Sequence, residues 1–206
     1  MDKKKLVVFD FDGVLVNSLD LWFEVNQRAN PHLTKEQYSE MSHGNYFESF
    51  EGSNAKFEFK HDEESINMYK NQVMELQTSD SIKELFSKLE SNFLFAIVSS
   101  GSEATIDSFL KKNSIRNYFS KVLGNETHKS KTVKLNILMD EYRLQSRDIL
   151  FVTDTLGDIL EAHQVGVKSI GVLWGLHDRE TLEKGNPEII IDDPFLLEET
   201  INKLLA

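Results

Sequence analysis

Apolar positions along this chain follow two alternating rhythms. The first is a set of short, nearly uninterrupted runs: KLVVF (5–9), FLFAIV (93–98), DILFV (148–152), KSIGVL (168–173) and EIII (188–191). A strand reads this way when both of its faces are buried in a parallel sheet, because neither side then needs polar residues. The second rhythm has the helical spacing i, i+3, i+4, i+7. Ile82, Leu85, Phe86 and Leu89 follow it, and so do Leu135, Leu138, Met139 and Tyr142. Each set lays one apolar stripe along a helix. Strands alternating with such helices predict an α/β fold built on a doubly wound parallel sheet. Ligands of such sheets bind beyond the carboxyl ends of the strands.

One segment breaks the alternation. Between about residues 17 and 80 no run reads as a strand, and the stretch holds 12 acidic and 5 basic residues. It is rich in aromatics, among them Trp22, Phe23, Tyr46, Phe47, Phe57 and Phe59. The pattern predicts a mostly helical domain over 17–80, with a loop near SHGNYFES (42–49), inserted into a core made of 1–16 and 81–206. The aromatics are expected to form the core of the insertion.

Composition narrows the partners. The 206 residues carry a formal charge of −11. An acidic surface repels phosphate backbones and anionic lipid, so neither nucleic acid nor a membrane surface is expected as a partner. An anionic substrate would need local positive charge from a cation or a placed lysine. The chain has no cysteine, which excludes disulfides, thiolate metal sites and a cysteine nucleophile. No apolar run approaches the roughly 18 residues of a membrane span. The opening MDKKKLVVFDFDG is basic and then apolar, but Asp10 and Asp12 interrupt it too early for a signal peptide. A soluble, cytoplasmic protein is expected.

Four constellations could carry chemistry. In LVVFDFDG, Asp10 and Asp12 end the first run. Residues i and i+2 of a strand point the same way, so the two carboxylates face one spot, and Gly13 permits a sharp exit beside it. Such a pair could bind a hard cation or supply a nucleophile, and could equally be a helix cap and a turn residue. In FVTDTLGD, Asp154 and Asp158 follow the third run. If the helix begins at Asp154, the spacing puts both on one face, where acids also suit a helix N-terminus. In IVSSGS, Ser99, Ser100 and Gly101 precede a helical stretch with Ile106, Phe109 and Leu110 on one side. Hydroxyls and free N–H groups there could cradle an oxyanion, or serve as an ordinary cap. In THKSKTVK, Lys131 opens a helix, where a lysine gains nothing from the macrodipole; Lys129 and Lys134 are its rivals. The histidines at 32, 43, 61, 128, 163 and 177 show no ligand spacing and mostly read as surface residues, none assigned to a metal.

Taken in order, the four constellations resemble the haloacid dehalogenase superfamily of hydrolases, over about residues 5–205. The motif D-x-D-G-V-L-V-x-S is quite specific, and GVLWGLHDRETLEKGNPEIIIDDPFLL (171–197) is similar to the phosphoglycolate phosphatase-like branch. The resemblance implies a Rossmann-like core with a helical cap inserted after the first strand. It implies Asp10 as nucleophile and Asp12 as general acid/base, whose backbone carbonyl also binds Mg²⁺. It implies Ser99, with Ser100 beside it, and Lys131 as phosphate-binding. Mg²⁺ would be held by Asp10, Asp12 and Asp154, with Asp158 as ligand or support. Three positions depart from the pattern: Thr153 stands before Asp154 where glycine is usual, Asn17 stands where aspartate is common, and no proline follows Lys131.

The implied function is Mg²⁺-dependent hydrolysis of a small phosphorylated metabolite through an aspartyl-phosphate. Members that cleave carbon–halogen or carbon–phosphorus bonds generally lack the second aspartate, whose task is to protonate an alkoxide, so Asp12 favours phosphate esters. A phosphomutase of the β-phosphoglucomutase type and a catalytically idle metabolite binder are the alternatives.

Overall fold

The computed structural model describes residues 3–50 and 63–206. Six strands, β1 Lys5–Phe9, β2 Phe93–Val98, β3 Phe119–Leu123, β4 Ile149–Thr153, β5 Lys168–Val172 and β6 Ile189–Ile191, form one sheet. Every pairing is parallel and the order is β3-β2-β1-β4-β5-β6. The fold is α/β and doubly wound, as the alternation predicts.

Helices cover both faces. In chain order they are α1 Leu19–Ala29, α2 Lys35–Glu40, α3 Glu63–Val73, α4 Asp80–Leu89, α5 Glu103–Lys112, α6 Lys131–Tyr142, α7 Leu156–Gln164, α8 Arg179–Glu183 and α9 Leu197–Leu204. β1 shows why its run is apolar throughout. Val7 and Phe9 pack with Phe86 of α4, Phe109 of α5 and Ile201 of α9, while Leu6 and Val8 pack with Leu135 and Leu138 of α6 and Ala162 of α7. All four β1 side chains are fully buried, so no polar residue could sit among them without a large desolvation cost.

β3 carries no signal in the apolar pattern. Its sequence FSKVL has Ser120 exposed and Lys121 half-buried, with Lys121 paired to Glu141. At this edge of the sheet Ser120 and Lys121 interrupt the apolar run and β3 reads as loop, whereas β6 at the opposite edge keeps its run of isoleucines. β4 begins at Ile149, one residue later than the run, because the Asp148 carboxylate accepts the Gln145 N–H and closes a 3-10 turn over Ser146–Asp148.

Between β1 and β2 lie α1, α2, a 3-10 turn Tyr46–Phe50, α3 and α4, with no strand among the described residues. Thr34 and Gln37 close a reciprocal capping box on α2. Leu33, Tyr38 and Met41 form a small apolar cluster, joined by Trp22, Phe23, Tyr46 and Leu176. Phe57, Phe59 and His61 lie outside the described residues. No described helix is long and apolar enough to cross a membrane.

β1 is the point where the strand order turns. The chain runs outward to β2 and β3 on one side and to β4, β5 and β6 on the other. The crevice at the carboxyl ends of β1, β2 and β4 is therefore where ligands bind in such sheets.

Candidate active site

β1 hands over to the site without a break: the Asp10 N–H still bonds the Val152 carbonyl of β4 at 2.9 Å. Phe11 turns into the core and is fully buried. Gly13 then adopts φ +76, and the chain folds back so that its N–H bonds the Val16 carbonyl at 2.8 Å. Asp10 and Asp12 consequently both line one cleft. A methyl group at Gly13 would sit 2.0 Å from Asp154 Oδ2, and one at Gly175 would sit 2.2 Å from Asp154 Cβ. Two bare backbones thus clasp Asp154 from either side.

The second acidic pair is split by the helix start. α7 begins at Leu156 with Thr155 as its cap, so Asp154 belongs to the strand end and only Asp158 to the helix. The two do not share a helix face, because the chain is still extended at Thr155. They still converge on the cleft, from successive elements. Thr153, which departs from the family pattern, directs its hydroxyl sideways: Oγ1 donates to Asp158 Oδ2 at 2.6 Å. Asn17 is exposed.

Lys131 joins the two pairs. Its Nζ donates to Asp10 Oδ2 at 2.8 Å and to Asp158 Oδ2 at 2.6 Å. The unfavourable start of α6 is compensated by Glu161, which accepts from the Lys131 N–H at 2.9 Å and the Ser130 hydroxyl at 2.8 Å. Of the rival lysines, Lys134 is also buried, but its Nζ donates to the backbone carbonyls of Ser99 at 2.6 Å and Gly124 at 3.3 Å. It braces the Ser99 loop from behind. Ser99 is fully buried, and its Oγ accepts the Gly101 N–H at 3.0 Å.

Asp12 is held differently. Its Oδ1 accepts from the Ser18 hydroxyl at 2.5 Å and from the Tyr69 hydroxyl of α3 at 2.6 Å. Asp10 Oδ1 accepts the Phe11 N–H at 2.7 Å. Asp154 Oδ2 accepts the Leu176 N–H at 2.8 Å, while its Oδ1 is buried with no hydrogen-bond partner.

Burial dominates the electrostatics. It pushes the Asp154 carboxyl up to about 7, with the nearby Asp158 charge adding to the rise. Burial likewise raises Asp10, against the pull of Lys131 and with the charges of Asp158 and Asp154 reinforcing it. Asp158 is the exception: burial would raise it, but the charge and hydrogen bond of Lys131, with Thr153, hold it below the usual carboxylate range. Asp12 is raised by burial and partly restrained by hydrogen bonds from Ser18, Tyr69 and Trp22. Burial lowers Lys134 to about 8, and the neighbouring Lys131 charge contributes.

All seven predicted site residues, Asp10, Asp12, Ser99, Ser100, Lys131, Asp154 and Asp158, line a cleft of about 470 Å³. Trp22, Tyr46 and Phe47 line it too, so part of the insertion's aromatic set faces the cleft as well as its own core. Among the described residues no three His, Cys, Asp or Glu side chains converge into a self-sufficient metal centre. Asp12 Oδ1 accepts two hydroxyls, and Lys131 bonds both Asp10 Oδ2 and Asp158 Oδ2. A hard cation nonetheless fits a smaller set: the partnerless Asp154 Oδ1, the adjacent Asp10 and a backbone carbonyl are all oxygen donors.

Sequence reasoning gave no role to Ser18, Tyr69, Glu161 or His177, and named Lys134 only as a rival of Lys131. His177 is buried, not a surface residue: its Nδ1 accepts the Leu156 N–H at 2.8 Å and its Nε2 lies 3.0 Å from the Ser39 carbonyl. Nothing in a one-dimensional pattern separates such a histidine from a solvated one.

Comparison with known proteins agrees with this geometry. The haloacid dehalogenase-like hydrolase family matches residues 7–172. The chain is 26% identical to the phosphoglycolate phosphatase of Synechococcus elongatus, over 97% of this chain and 98% of that protein. Its fold is that of a hydrolase from Pseudomonas syringae, with a TM-score of 0.79 at 18% identity over 98% and 100% of the two chains. A predicted phosphatase from Clostridium acetobutylicum superposes with a TM-score of 0.78 at 21% identity, again over 98% and 100%. With the strand-end aspartates in one crevice and the family match spanning both, the chain belongs to the haloacid dehalogenase-like hydrolases.

Proposed function

We propose that this hydrolase cleaves a small phosphomonoester through an aspartyl-phosphate at Asp10. The observation that carries the reading is the pairing of a lysine-bridged aspartate, Asp10, with a second aspartate, Asp12, whose Oδ2 lies beside the Ser99–Gly101 loop. A Cβ built at Gly101 would stand 3.6 Å from Asp12 Oδ2 and 3.4 Å from Ser99 Oγ, so the acid and the loop border one small space. A phosphoryl group there would meet a nucleophile on one side and a proton donor on the other.

Asp10 attacks phosphorus and Asp12 protonates the departing ester oxygen. Asp12 then takes a proton from the water that hydrolyses the aspartyl-phosphate. Ser99, the N–H groups of its loop and Lys131 hold the equatorial oxygens, where charge is spread in the transition state. Mg²⁺, held by Asp10, Asp154 and the Asp12 backbone carbonyl, would supply the positive charge that lets an anionic nucleophile approach an anionic phosphate.

The inserted segment 17–80 serves as a cap over this cleft. Supporting that role, the Ser42 carbonyl accepts the Gly157 N–H at 2.9 Å and Asn45 Nδ2 donates to Glu161 at 3.1 Å. A Cβ at Gly157 would lie 2.0 Å from the Gly44 carbonyl oxygen, so a bare backbone at Gly157 lets the loop sit this close. Closure would exclude bulk water and select the substrate.

Several similar proteins act on phosphoglycolate by name, which makes it the first substrate to try in a phosphate-release screen that also includes larger sugar phosphates. Asp10→Asn is the direct test. Loss of turnover by at least about 10³-fold with an unchanged circular dichroism spectrum is expected of a lost nucleophile. Retention of near-normal phosphate release would overturn the reading.

A further inference from the structure

The Asp12 carboxylate receives two hydroxyls on the same oxygen. Ser18 Oγ lies 2.5 Å and Tyr69 OH 2.6 Å from Oδ1, and the Trp22 side chain, on which Tyr69 stacks, makes a further hydrogen bond to the same carboxylate. A carboxyl oxygen has two acceptor sites, so two donors saturate it, and a proton on Oδ1 would have to displace one of them. Tyr69 remains a donor throughout, since burial and the Asp12 charge push its own ionisation far above the ordinary tyrosine range. Oδ2, by contrast, borders the space between Asp12, Gly101 and Ser99.

We propose that Tyr69, together with Ser18, is a positioning residue that forces the Asp12 proton onto Oδ2, the oxygen facing the Ser99–Gly101 loop. This rests on the proposed role of Asp12 as general acid. The step balances simply. As the Asp10–phosphorus bond forms, the bond from phosphorus to the ester oxygen breaks, its electron pair stays on that oxygen, and the oxygen takes the Oδ2 proton. The alcohol leaves and aspartyl-phosphate remains. Water then attacks phosphorus and gives a proton to Asp12, while the phosphorus bond to Asp10 breaks, its electron pair returns to the Asp10 carboxylate and inorganic phosphate departs.

The two donors come from different parts of the chain. Ser18 directly precedes α1, on the same stretch as Asp12. Tyr69 comes from the far helix of the insertion, is 4% exposed, and is stacked on Trp22 of α1 with ring centroids 4.1 Å apart and planes at 29°. The ring is therefore fixed, and its hydroxyl reaches Asp12 only with α3 seated against α1 over the site. Acid readiness and the seating of the insertion become one event, through a residue that touches no reacting atom.

A merely structural tyrosine and a positioning tyrosine differ in how their loss depends on the leaving group. An alkyl phosphate needs a proton on its departing oxygen, whereas p-nitrophenyl phosphate does not. The experiment compares kcat/KM, which stops at the first irreversible step, for both esters in wild type, Tyr69→Phe, Ser18→Ala and Asp12→Asn. Tyr69→Phe is expected to lose about 10-fold on the alkyl ester and under about 2-fold on the aryl ester, a fraction of the 10²–10⁴-fold that a whole general acid supplies. Equal losses on both esters, or none on either, would overturn the positioning role. If Tyr69→Phe fails to fold, Ser18→Ala applies the same test to the same oxygen. Asp12→Asn separates the two levels. A steep leaving-group dependence there with a flat Tyr69→Phe sinks only the tyrosine's role, while a flat Asp12→Asn sinks the general-acid reading and this inference with it.

Discussion

Lys134 sits behind the Ser99 loop with its ammonium fully buried and hydrogen-bonded to carbonyls, while the charges of Asp10, Asp158 and Glu161 reach it without a direct bond. Burial holds its ionisation down near 8, so it is charged at neutral pH and loses that charge at moderately alkaline pH. The charge lies one peptide away from the proposed phosphate cradle. We expect kcat/KM, which reports ionisations of the free enzyme, to decline as pH rises through about 8. Lys134→Met should remove that limb and lower the neutral-pH value severalfold; a pH–rate profile of the two proteins checks it. This residue also marks the limit of the sequence at residue scale. Asp10, Asp12 and Asp154 are legible because acids at the ends of apolar runs are costly and therefore conspicuous. Lys131 and Lys134 lie i, i+3 on one helix face, so both are buried, and only three-dimensional contacts tell the one bridging Asp10 and Asp158 from the one bracing the loop.

Among elements, the apolar runs reveal every strand but β3, where Ser120 and Lys121 interrupt the run. They also misjudge where α7 starts, because Thr155 is a capping residue with extended backbone and the helical spacing cannot reveal that. What fixes that start is His177, from the loop after β5. Its Nδ1 accepts the first helical N–H, that of Leu156, and its Nε2 faces the Ser39 carbonyl at the end of α2. One neutral imidazole therefore ties the α7 N-terminus to the insertion. Burial lowers its ionisation below the ordinary histidine value, and the ring of His43, 5.1 Å away, adds to this. Protonation would put a hydrogen on Nδ1 where it now accepts. The sign follows: a histidine depressed in the folded state contributes stability that is complete above about pH 6.5 and is lost as pH falls toward the folded value. We expect the thermal midpoint of wild type to fall more between pH 7 and pH 5 than that of His177→Gln, measured by calorimetry. Equal falls would show that the imidazole carries none of the acid sensitivity.

Across the whole molecule, an acidic protein of charge −11 gathers four carboxylates at one crevice and gives them one bridging lysine. That concentration is a standing destabilisation, and its form is visible in Asp154, raised to about 7, and in Asp10, raised by burial and by its acidic neighbours. A carboxyl raised in the folded state contributes stability at low pH, where it is protonated in both states, and loses it as pH climbs through the folded value. The metal-free protein should therefore weaken as pH rises from about 4 to about 7, the range over which the unfolded chain has lost the Asp154 proton and the folded site still holds it. A divalent cation on Asp154 Oδ1 and Asp10 would reverse this, because it favours the charged forms that burial penalises. At a hundredfold excess over its dissociation constant, such a ligand adds about 2.7 kcal/mol, which for a chain of this size raises the midpoint by roughly 5–10 °C. The expected outcome is that Mg²⁺ raises the midpoint by that order at pH 8, by much less at pH 5 where it must displace protons, and not at all in Asp154→Asn. Calcium offers a control for specificity: its longer bonds and higher coordination number suit a looser oxygen set, so a tight two-carboxylate site should respond to it less. A midpoint indifferent to Mg²⁺ at both pH values would mean that the crevice tolerates its own repulsion without a cation, and Asp154 Oδ1 would then need another partner to explain its burial.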